Sequence, residues 1–178
     1  MIVYTLGHST LELGAFLHLL ESHGIAGIVD VRRFPGSRRH PHFASEALSG
    51  ALASAGVSYE WLPSLGGRRK ARGDSPHVGW RVEGFRSYAD HMESEEFTSG
   101  VARLLAIAAE RPSAVMCAEA LPWRCHRQLL ADALVVRGVE VRHVMGRKSE
   151  THELTAFARV DGERLIYDRA PQGRLPGV

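Results

Sequence analysis

Val115-Met116-Cys117-Ala118-Glu119-Ala120-Leu121-Pro122-Trp123-Arg124-Cys125-His126-Arg127 is the stretch of sequence that decides the fold. Apolar residues lead into Cys117, and Pro122 precedes a pattern of helical spacing. We therefore predict that Cys117 ends a buried strand and that Cys125 lies in the first turn of the next helix. Side chains at such a junction of an α/β sheet point into the crevice where ligands usually bind.

Strand and helix patterns alternate on both sides of this stretch. Strands are predicted over 2–6, 25–31, 57–62, 113–117 and 139–145. Helices are predicted over 11–22 and 45–55, from Gly84 to Pro112 with an interruption near 99–100, and from 125 to 138. In the last of these, Leu129, Leu130, Ala133 and Leu134 form an apolar stripe, and Arg124, Arg127, Gln128 and Asp132 are expected to face away from it.

This alternation predicts an α/β fold with a mostly parallel sheet of about five strands and helices on both faces, a Rossmann-like three-layer arrangement. The turn signal Asp161-Gly162 adds a C-terminal hairpin within 156–167. The whole chain, 1–178, is predicted to be one domain, and 170–178 is expected to be a loose tail.

Composition limits the class of protein. The chain is 44% hydrophobic and 24% charged, with a net charge of +2, and its two cysteines cannot make a disulfide scaffold. Neither a secretory signal nor a membrane-spanning stretch is evident. We therefore expect a soluble cytoplasmic protein with reduced thiols and no membrane partner. The sequence indicates no oligomeric state.

Two basic loops suggest an anionic partner. Residues 32–42 hold four arginines and two histidines without an acid, and residues 68–72 hold three arginines and a lysine. Local basic patches favour an anionic small molecule or nucleic acid. The alternative interpretation is ordinary solvated loop charge.

Reactive groups follow the predicted strands, and the carboxyl ends of parallel strands meet at one edge of a sheet. A helix N-terminus and neighbouring cations would lower the pKa of Cys125, and a carboxylate or imidazole could move protons. The candidate catalytic residues are Cys117, Glu119, Cys125, His126 and His8. For the cysteines the alternative is a small buried hydrophobe, and for Glu119 it is an ion pair that holds the loop.

Candidate substrate-binding residues lie at the ends of the predicted strands and in the basic loops, where Ser9 and Thr10 at a helix N-terminus and the arginines could hold an anion. They are Ser9, Thr10, Asp30, Arg32, Ser37, Arg38, Arg68 and Arg127. For Ser9 and Thr10 the alternative is a plain helix cap. No phosphate loop or G-x-S-x-G nucleophile elbow is present.

Metal and cofactor binding are not predicted. Cys117, Cys125 and His126 are residue types that bind zinc, but no C-x2-C pair is present. In addition, adjacent residues on a helix, such as Cys125 and His126, should point in different directions.

Several blocks together resemble the DUF488 family. They are 5–10 (Thr-Leu-Gly-His-Ser-Thr), 29–32 (Val-Asp-Val-Arg) with Pro35 and 37–38, 65–67 (Leu-Gly-Gly), 117–127, and the later stretch 157–160. Leu6 stands where the family often has isoleucine. The resemblance implies a compact α/β domain with these motifs gathered at one site, and it implies no activity, cofactor or substrate.

Three functional hypotheses follow. The first is an enzyme for a phosphate-bearing substrate, a nucleotide or nucleic acid, with Arg32, Arg38 and Arg68 holding the anion. In it a cysteine is the nucleophile or redox thiol, and Glu119 with His8 or His126 moves protons. The second is a non-catalytic nucleic-acid-binding module, in which Phe34, Phe43, Trp61 or Trp80 could stack on bases. The third is a thiol redox or sensor protein in which Cys117 and Cys125 form a reversible disulfide.

Overall fold

The architecture is taken from a computed structural model of the chain. It describes residues 1–36, 39–70 and 72–169. Ser37, Arg38 and the expected tail at 170–178 lie outside the described residues.

A six-stranded sheet forms the centre of the fold. Its strands are β1 (Ile2–Gly7), β2 (Gly27–Asp30), β3 (Ser58–Trp61), β4 (Ser113–Cys117), β5 (Glu140–Met145) and β6 (Lys148–Thr151). They lie in the order β3-β2-β4-β1-β5-β6. The first five are parallel, and β6 pairs antiparallel with β5. β4 therefore lies between β1 and β2, and all three end at the same edge.

Helices cover both faces of the sheet and make a core on each. The helices are α1 (Leu13–Ser22), α2 (Ser45–Ser54), α3 (Glu83–His91), α4 (Glu95–Glu110) and α5 (Arg127–Val135). Apolar residues of α1 and α2 pack with Ile28, Ala114 and Met116 in one core. Those of α3, α4 and α5 pack with Val29, Val115 and Cys117 in the other. The period-two alternation of β4 sends successive side chains to opposite cores.

The predicted α/β fold is confirmed. So is the C-terminal hairpin, in which β7 (Arg159–Asp161) pairs with β8 (Arg164–Ile166) as a separate two-stranded sheet. The sixth strand of the main sheet was not predicted, because its residues are polar and directly follow a turn. The predicted interruption near 99–100 was wrong. The break falls between His91 and Glu95, where the Ser94 side chain accepts a hydrogen bond from the Phe97 amide and caps α4.

Two further predictions about the decisive stretch were wrong. Cys125 lies ahead of α5, after a single 3₁₀ turn at Pro122–Arg124, and is not in the helix. Arg127 and Asp132 do not face away from the core: they are 1% and 0% exposed. A polar residue can occupy the apolar side of a helix when buried polar partners receive it, and both residues have such partners.

Within the described ranges, none of the helices combines the length and the apolar character that crossing a membrane requires.

The strands β1 and β4 approach very closely at their carboxyl ends. A Cβ atom added to Gly7 would lie 1.8 Å from the carbonyl oxygen of Glu119 and 2.9 Å from the Cα of Ala120. Both are backbone atoms, so the clash could not be relieved by rotating a side chain. A residue without a side chain is therefore required where the chain leaves β1.

We expect Gly7→Ala to destabilise the protein by about 1–3 kcal/mol or more, because the methyl group must displace the loop after β4. The matched control is Gly14→Ala on α1, where an added Cβ meets nothing within 4 Å. That change should stabilise the helix by roughly 0.5–1 kcal/mol. Denaturant unfolding of both variants checks this, and equal effects would contradict the close approach.

Candidate functional site

Backbone hydrogen bonds extend the alignment of the strands beyond their ends. The His8 amide donates to the Cys117 carbonyl at 3.0 Å, and the Ser9 amide donates to the Ala118 carbonyl at 3.0 Å. The Val31 amide donates to the Met116 carbonyl at 3.0 Å. The three loops that carry the candidate residues therefore leave the sheet side by side.

The candidate side chains form two clusters, one on each face of this edge. The thiol cluster consists of Cys117, Cys125, His126 and Arg127, and it lies on the face covered by α3, α4 and α5. The second cluster consists of His8, Asp30 and Arg32 with Tyr59 and Phe43, and it lies with α1 and α2.

In the thiol cluster the two sulfurs meet. The Sγ atoms of Cys117 and Cys125 and a ring nitrogen of His126 all lie within 4.8 Å of one another. Nδ1 of His126 is 3.5 Å from Sγ of Cys125. Both thiols are free and buried. The expectation that Cys125 and His126 point in different directions was wrong, because Cys125 precedes the helix and its side chain can turn toward that of His126.

The pKa values of the two thiols are shifted in opposite directions. The pKa of Cys125 is lowered to about 6, first by a hydrogen bond from Cys117 and then, against the cost of burial, by the charge of Arg127 and hydrogen bonds from its backbone and side chain. The pKa of Cys117 is raised well above its usual range, because Cys117 keeps the shared proton and is itself buried. Burial lowers the pKa of His126, which favours the neutral ring. Near neutral pH the cluster holds a Cys125 thiolate and a Cys117 thiol.

The loop after β3 forms one wall of the thiol cluster. A Cβ atom on Gly67 would lie 2.8 Å from Nδ1 of His126, so the loop backbone lies directly against the imidazole. The Tyr88 ring lies 5.0 Å from the His126 ring, and the Tyr88 hydroxyl donates to the Leu65 carbonyl at 2.9 Å. The Leu65-Gly66-Gly67 block thus packs against the imidazole that lies beside the thiols.

Both terminal nitrogens of Arg127 contact protein oxygens, whereas its Nε is buried without a hydrogen-bond partner among the described residues. One terminal nitrogen donates to the carbonyls of Glu119 and Ala120, and the other lies 3.4 Å from the Thr5 hydroxyl. Among the described residues no carboxylate forms an ion pair with this guanidinium. Arg127 therefore holds the loop after β4 and polarises Cys125, and it is not positioned to take a substrate anion directly.

The second cluster is also satisfied internally. Arg32 makes a forked ion pair with Asp30, with nitrogen–oxygen distances of 2.6 to 3.1 Å, and the Tyr59 hydroxyl donates to the same carboxylate at 2.8 Å. Another Arg32 nitrogen lies 3.3 Å from Nε2 of His8, whose ring stacks on Phe43. Burial and then the charge of Arg32 lower the pKa of His8 to about 4. His8 is therefore neutral near pH 7, and Arg32 has a structural partner.

The remaining candidates lie outside both clusters. Glu119 is exposed, and its carboxylate accepts the Leu121 amide at 3.3 Å, which holds the loop. Ser9, at a φ of 45°, and Thr10 do not begin a helix, because α1 starts at Leu13 after the N-cap Glu12. Arg68 is exposed and also has a positive φ, of 57°.

A chain of buried polar residues behind Arg127 has no counterpart among the candidates predicted from sequence. Its members are Thr5, His143, His152 and Asp132. The one sequence signal is His143 at an inward position of a strand between Val141 and Val144, since a buried polar residue needs a partner. That partner, His152, lies beyond β6 and has no local signature.

The thiol cluster offers donors that zinc accepts, namely two sulfurs and an imidazole nitrogen. Two features do not suit a resident dication. Nε2 of His126 is buried without a hydrogen-bond partner in the described part of the chain, whereas a ligating histidine normally donates its other N–H. The positive charge of Arg127 also acts directly on Cys125. The arrangement suits a thiolate paired with a cation better.

We expect the ultraviolet absorbance of the thiolate, and the rate of alkylation by iodoacetamide, to rise with pH through a midpoint near 6. The pKa is lowered, so the reactive thiolate persists above this value and is lost below it. In Cys117→Ala the midpoint should move toward the ordinary value of about 8.5, because the hydrogen bond that contributes most is gone. A low midpoint that survives in Cys125→Ser would show that the acidic thiol is not Cys125.

Comparison with known proteins gives one family match, which covers most of the chain. A family model described as "Domain of unknown function DUF488" matches residues 12–134 of the 178 residues. The matched range includes both cysteines, the Val29–Arg32 block and the Leu65–Gly67 loop, and it begins just after the His8-Ser9 block. Searches of curated proteins and of solved structures found no match. Because the family model covers more than half of its length, the chain belongs to the DUF488 family.

Proposed function

We propose that the protein is a thiol-dependent oxidoreductase in which Cys125 and Cys117 cycle between a dithiol and a disulfide. The observation that carries this proposal is the meeting of the two sulfurs beside His126, all within 4.8 Å, at the carboxyl end of β4. A second thiol is not needed to bind or orient a substrate. It is needed to resolve an oxidised sulfur.

The unequal acidities assign the roles. Cys125 is the attacking sulfur, because it is the thiolate near neutral pH. With a hydroperoxide, its electron pair forms an S–O bond and breaks the O–O bond. This gives a sulfenic acid and an alkoxide, which takes up a proton and leaves as the alcohol.

Cys117 then resolves this species. Its sulfur gives up its proton, attacks the Cys125 sulfur and displaces hydroxide, which takes up that proton and leaves as water. The net change is two thiols and one hydroperoxide to one disulfide, one alcohol and one water. A reducing thiol from outside the protein returns the pair to the dithiol.

The burial of the two sulfurs limits the size of the oxidant that can reach them. The two cysteines are only 9% and 5% exposed, and Gly67 lies against the adjacent imidazole. A protein disulfide could not reach sulfurs enclosed in this way without large movement. A small hydroperoxide suits the site, and hydrogen peroxide is the simplest probe.

Treatment with one equivalent of hydrogen peroxide should reduce the intact mass by two hydrogen atoms and link the Cys117 and Cys125 peptides, and dithiothreitol should reverse both effects. Cys117→Ser should stop at the sulfenic acid, which dimedone traps on Cys125. Mass spectrometry reads each product.

Two results would overturn the proposal. One is the failure of the sulfurs to cross-link although Cys125 is oxidised. The other is one equivalent of zinc in the purified protein that keeps both thiols unreactive until a chelator removes it.

A second candidate function, an enzyme for an anionic, phosphate-bearing substrate, is favoured by the position of Arg68. This side chain is exposed and directly follows Gly67, which contacts His126. Nearby Arg69 is engaged by Glu96 at 3.1 Å. Arg68 is therefore the described candidate that adjoins the thiol cluster in sequence and has an exposed side chain with which an anion could pair.

If an anion binds there, inorganic phosphate or a mononucleotide should slow the alkylation of Cys125, and Arg68→Gln should remove the protection. Arg81→Gln, another exposed arginine, is the matched control.

A single-stranded oligonucleotide tests the nucleic-acid module, for which Phe34 and Trp61 are exposed whereas Phe43 and Trp80 are buried. If no anion slows the alkylation of Cys125, and the rate does not change with salt concentration, the phosphate-substrate enzyme and the nucleic-acid module are both contradicted.

A further inference from the structure

A continuous chain of hydrogen bonds runs through the interior from Arg127 to Asp132. NH1 of Arg127 lies 3.4 Å from the Thr5 hydroxyl, which lies 2.7 Å from Nδ1 of His143. Nε2 of His143 lies 2.9 Å from Nδ1 of His152, and Nε2 of His152 lies 2.8 Å from Oδ1 of Asp132. All five residues are buried.

When both imidazoles are neutral, the chemistry of the end groups fixes the direction of donation. The Asp132 carboxylate can only accept, so Nε2 of His152 carries a hydrogen, and Nδ1 of His152 accepts one from His143. Nδ1 of His143 then accepts from the Thr5 hydroxyl, and the Thr5 oxygen accepts from Arg127. Every group donates toward Asp132, so the chain is polarised from cation to anion.

The imidazole in the middle stays neutral. Burial first, and also the positive charge of Arg127, lower the pKa of His143 to about 3. A protonated His143 would no longer offer Nδ1 as an acceptor for the Thr5 hydroxyl hydrogen, so the contact favours the neutral ring. The chain thus places its cation and its anion at opposite ends.

The anionic end is held firmly. The second oxygen of Asp132 accepts the Tyr167 hydroxyl at 2.8 Å, and the first also accepts the Thr155 amide at 2.9 Å. Together with His152, these donors fix the carboxylate in one orientation. The Asp132 carboxylate thus supplies a negative charge that is connected to the buried guanidinium by hydrogen bonds through three intervening side chains.

We propose that this chain positions Arg127 against the Cys125 sulfur, so that Thr5, His143, His152 and Asp132 are positioning residues of the thiol site. The proposal rests on the thiol function proposed above. It assigns a role to residues on β1, on β5, after β6 and on α5, none of which touches a sulfur. The guanidinium is held from one side by the chain and from the other by the carbonyls of Glu119 and Ala120.

The groups that act on the Cys125 sulfur come from several elements. Cys117 lies at the end of β4, His126 and Arg127 lie at the start of α5, Tyr88 faces the sulfurs from α3, and Arg69 acts on the same pocket from the loop after β3. Of these, Arg127 is the one that the buried chain contacts. A perturbation of the chain should therefore reach Cys125 through Arg127.

The test is the pH dependence of Cys125 alkylation in Thr5→Val and Asp132→Asn. Valine keeps the shape of threonine but breaks the chain, and asparagine keeps an acceptor oxygen but removes the charge. In each variant the midpoint should rise, and the rate measured one unit below the wild-type midpoint should fall about threefold to tenfold. Thr5→Ser restores the hydroxyl and should restore the wild-type profile.

A structural role alone would give a different result. Leu52→Ala, in the core on the other face of the sheet, is a control that destabilises the protein without touching the chain. The proposal is overturned if Thr5→Val lowers the melting temperature as this control does and leaves the midpoint unchanged. It is also overturned if the wild-type midpoint lies at the ordinary thiol value.

The two proposals fail separately. A midpoint that moves in Thr5→Val, in a protein whose sulfurs never cross-link, supports the positioning chain and rejects the oxidoreductase. Cross-linking at the wild-type rate in Thr5→Val, with an unmoved midpoint, supports the oxidoreductase and rejects the positioning chain. If Asp132→Asn does not fold, Thr5→Val and its serine rescue decide the question alone.

Discussion

The buried guanidinium of Arg127 is the interaction on which the rest of the site depends. It contacts the Thr5 hydroxyl on β1 and the carbonyls of Glu119 and Ala120 after β4, and it belongs to α5. An unpaired charge at such depth would cost several kcal/mol. Its partners must therefore be in place together, and this couples the ends of two central strands to the start of the helix that follows Cys125.

Successive side chains of β4 point to opposite faces of the sheet, so the groups at this edge are separated into two environments. Met116 belongs to the core under α1 and α2, whereas Cys117 belongs to the core under α3, α4 and α5. His8 stacks on Phe43 in the first of these environments. A shared sheet edge is therefore not a shared pocket, and the imidazole that contacts the thiols is His126.

Features that depend on residues close together in the sequence could be predicted, and features that depend on contacts between distant residues could not. Apolar periodicity predicted the layered fold and the strand end at Cys117, because both are local. β6 escaped prediction because a short polar edge strand, Lys148–Thr151, has no apolar alternation to mark it. Partners such as Asp132 and His152 were missed because their contact depends on packing between a helix and a distant segment.

The lowered pKa of Cys125 and the burial of Arg127 depend on the same attraction between the thiolate and the guanidinium. Burial alone raises the pKa of a thiol, so a buried thiolate needs a fixed cation, and a buried guanidinium equally needs a fixed anion. Forming a disulfide would remove the thiolate and leave Arg127 with neutral carbonyls and a hydroxyl. In our proposal the charge of Asp132, connected to Arg127 through the buried hydrogen-bond chain, remains in that state and keeps the cation in place.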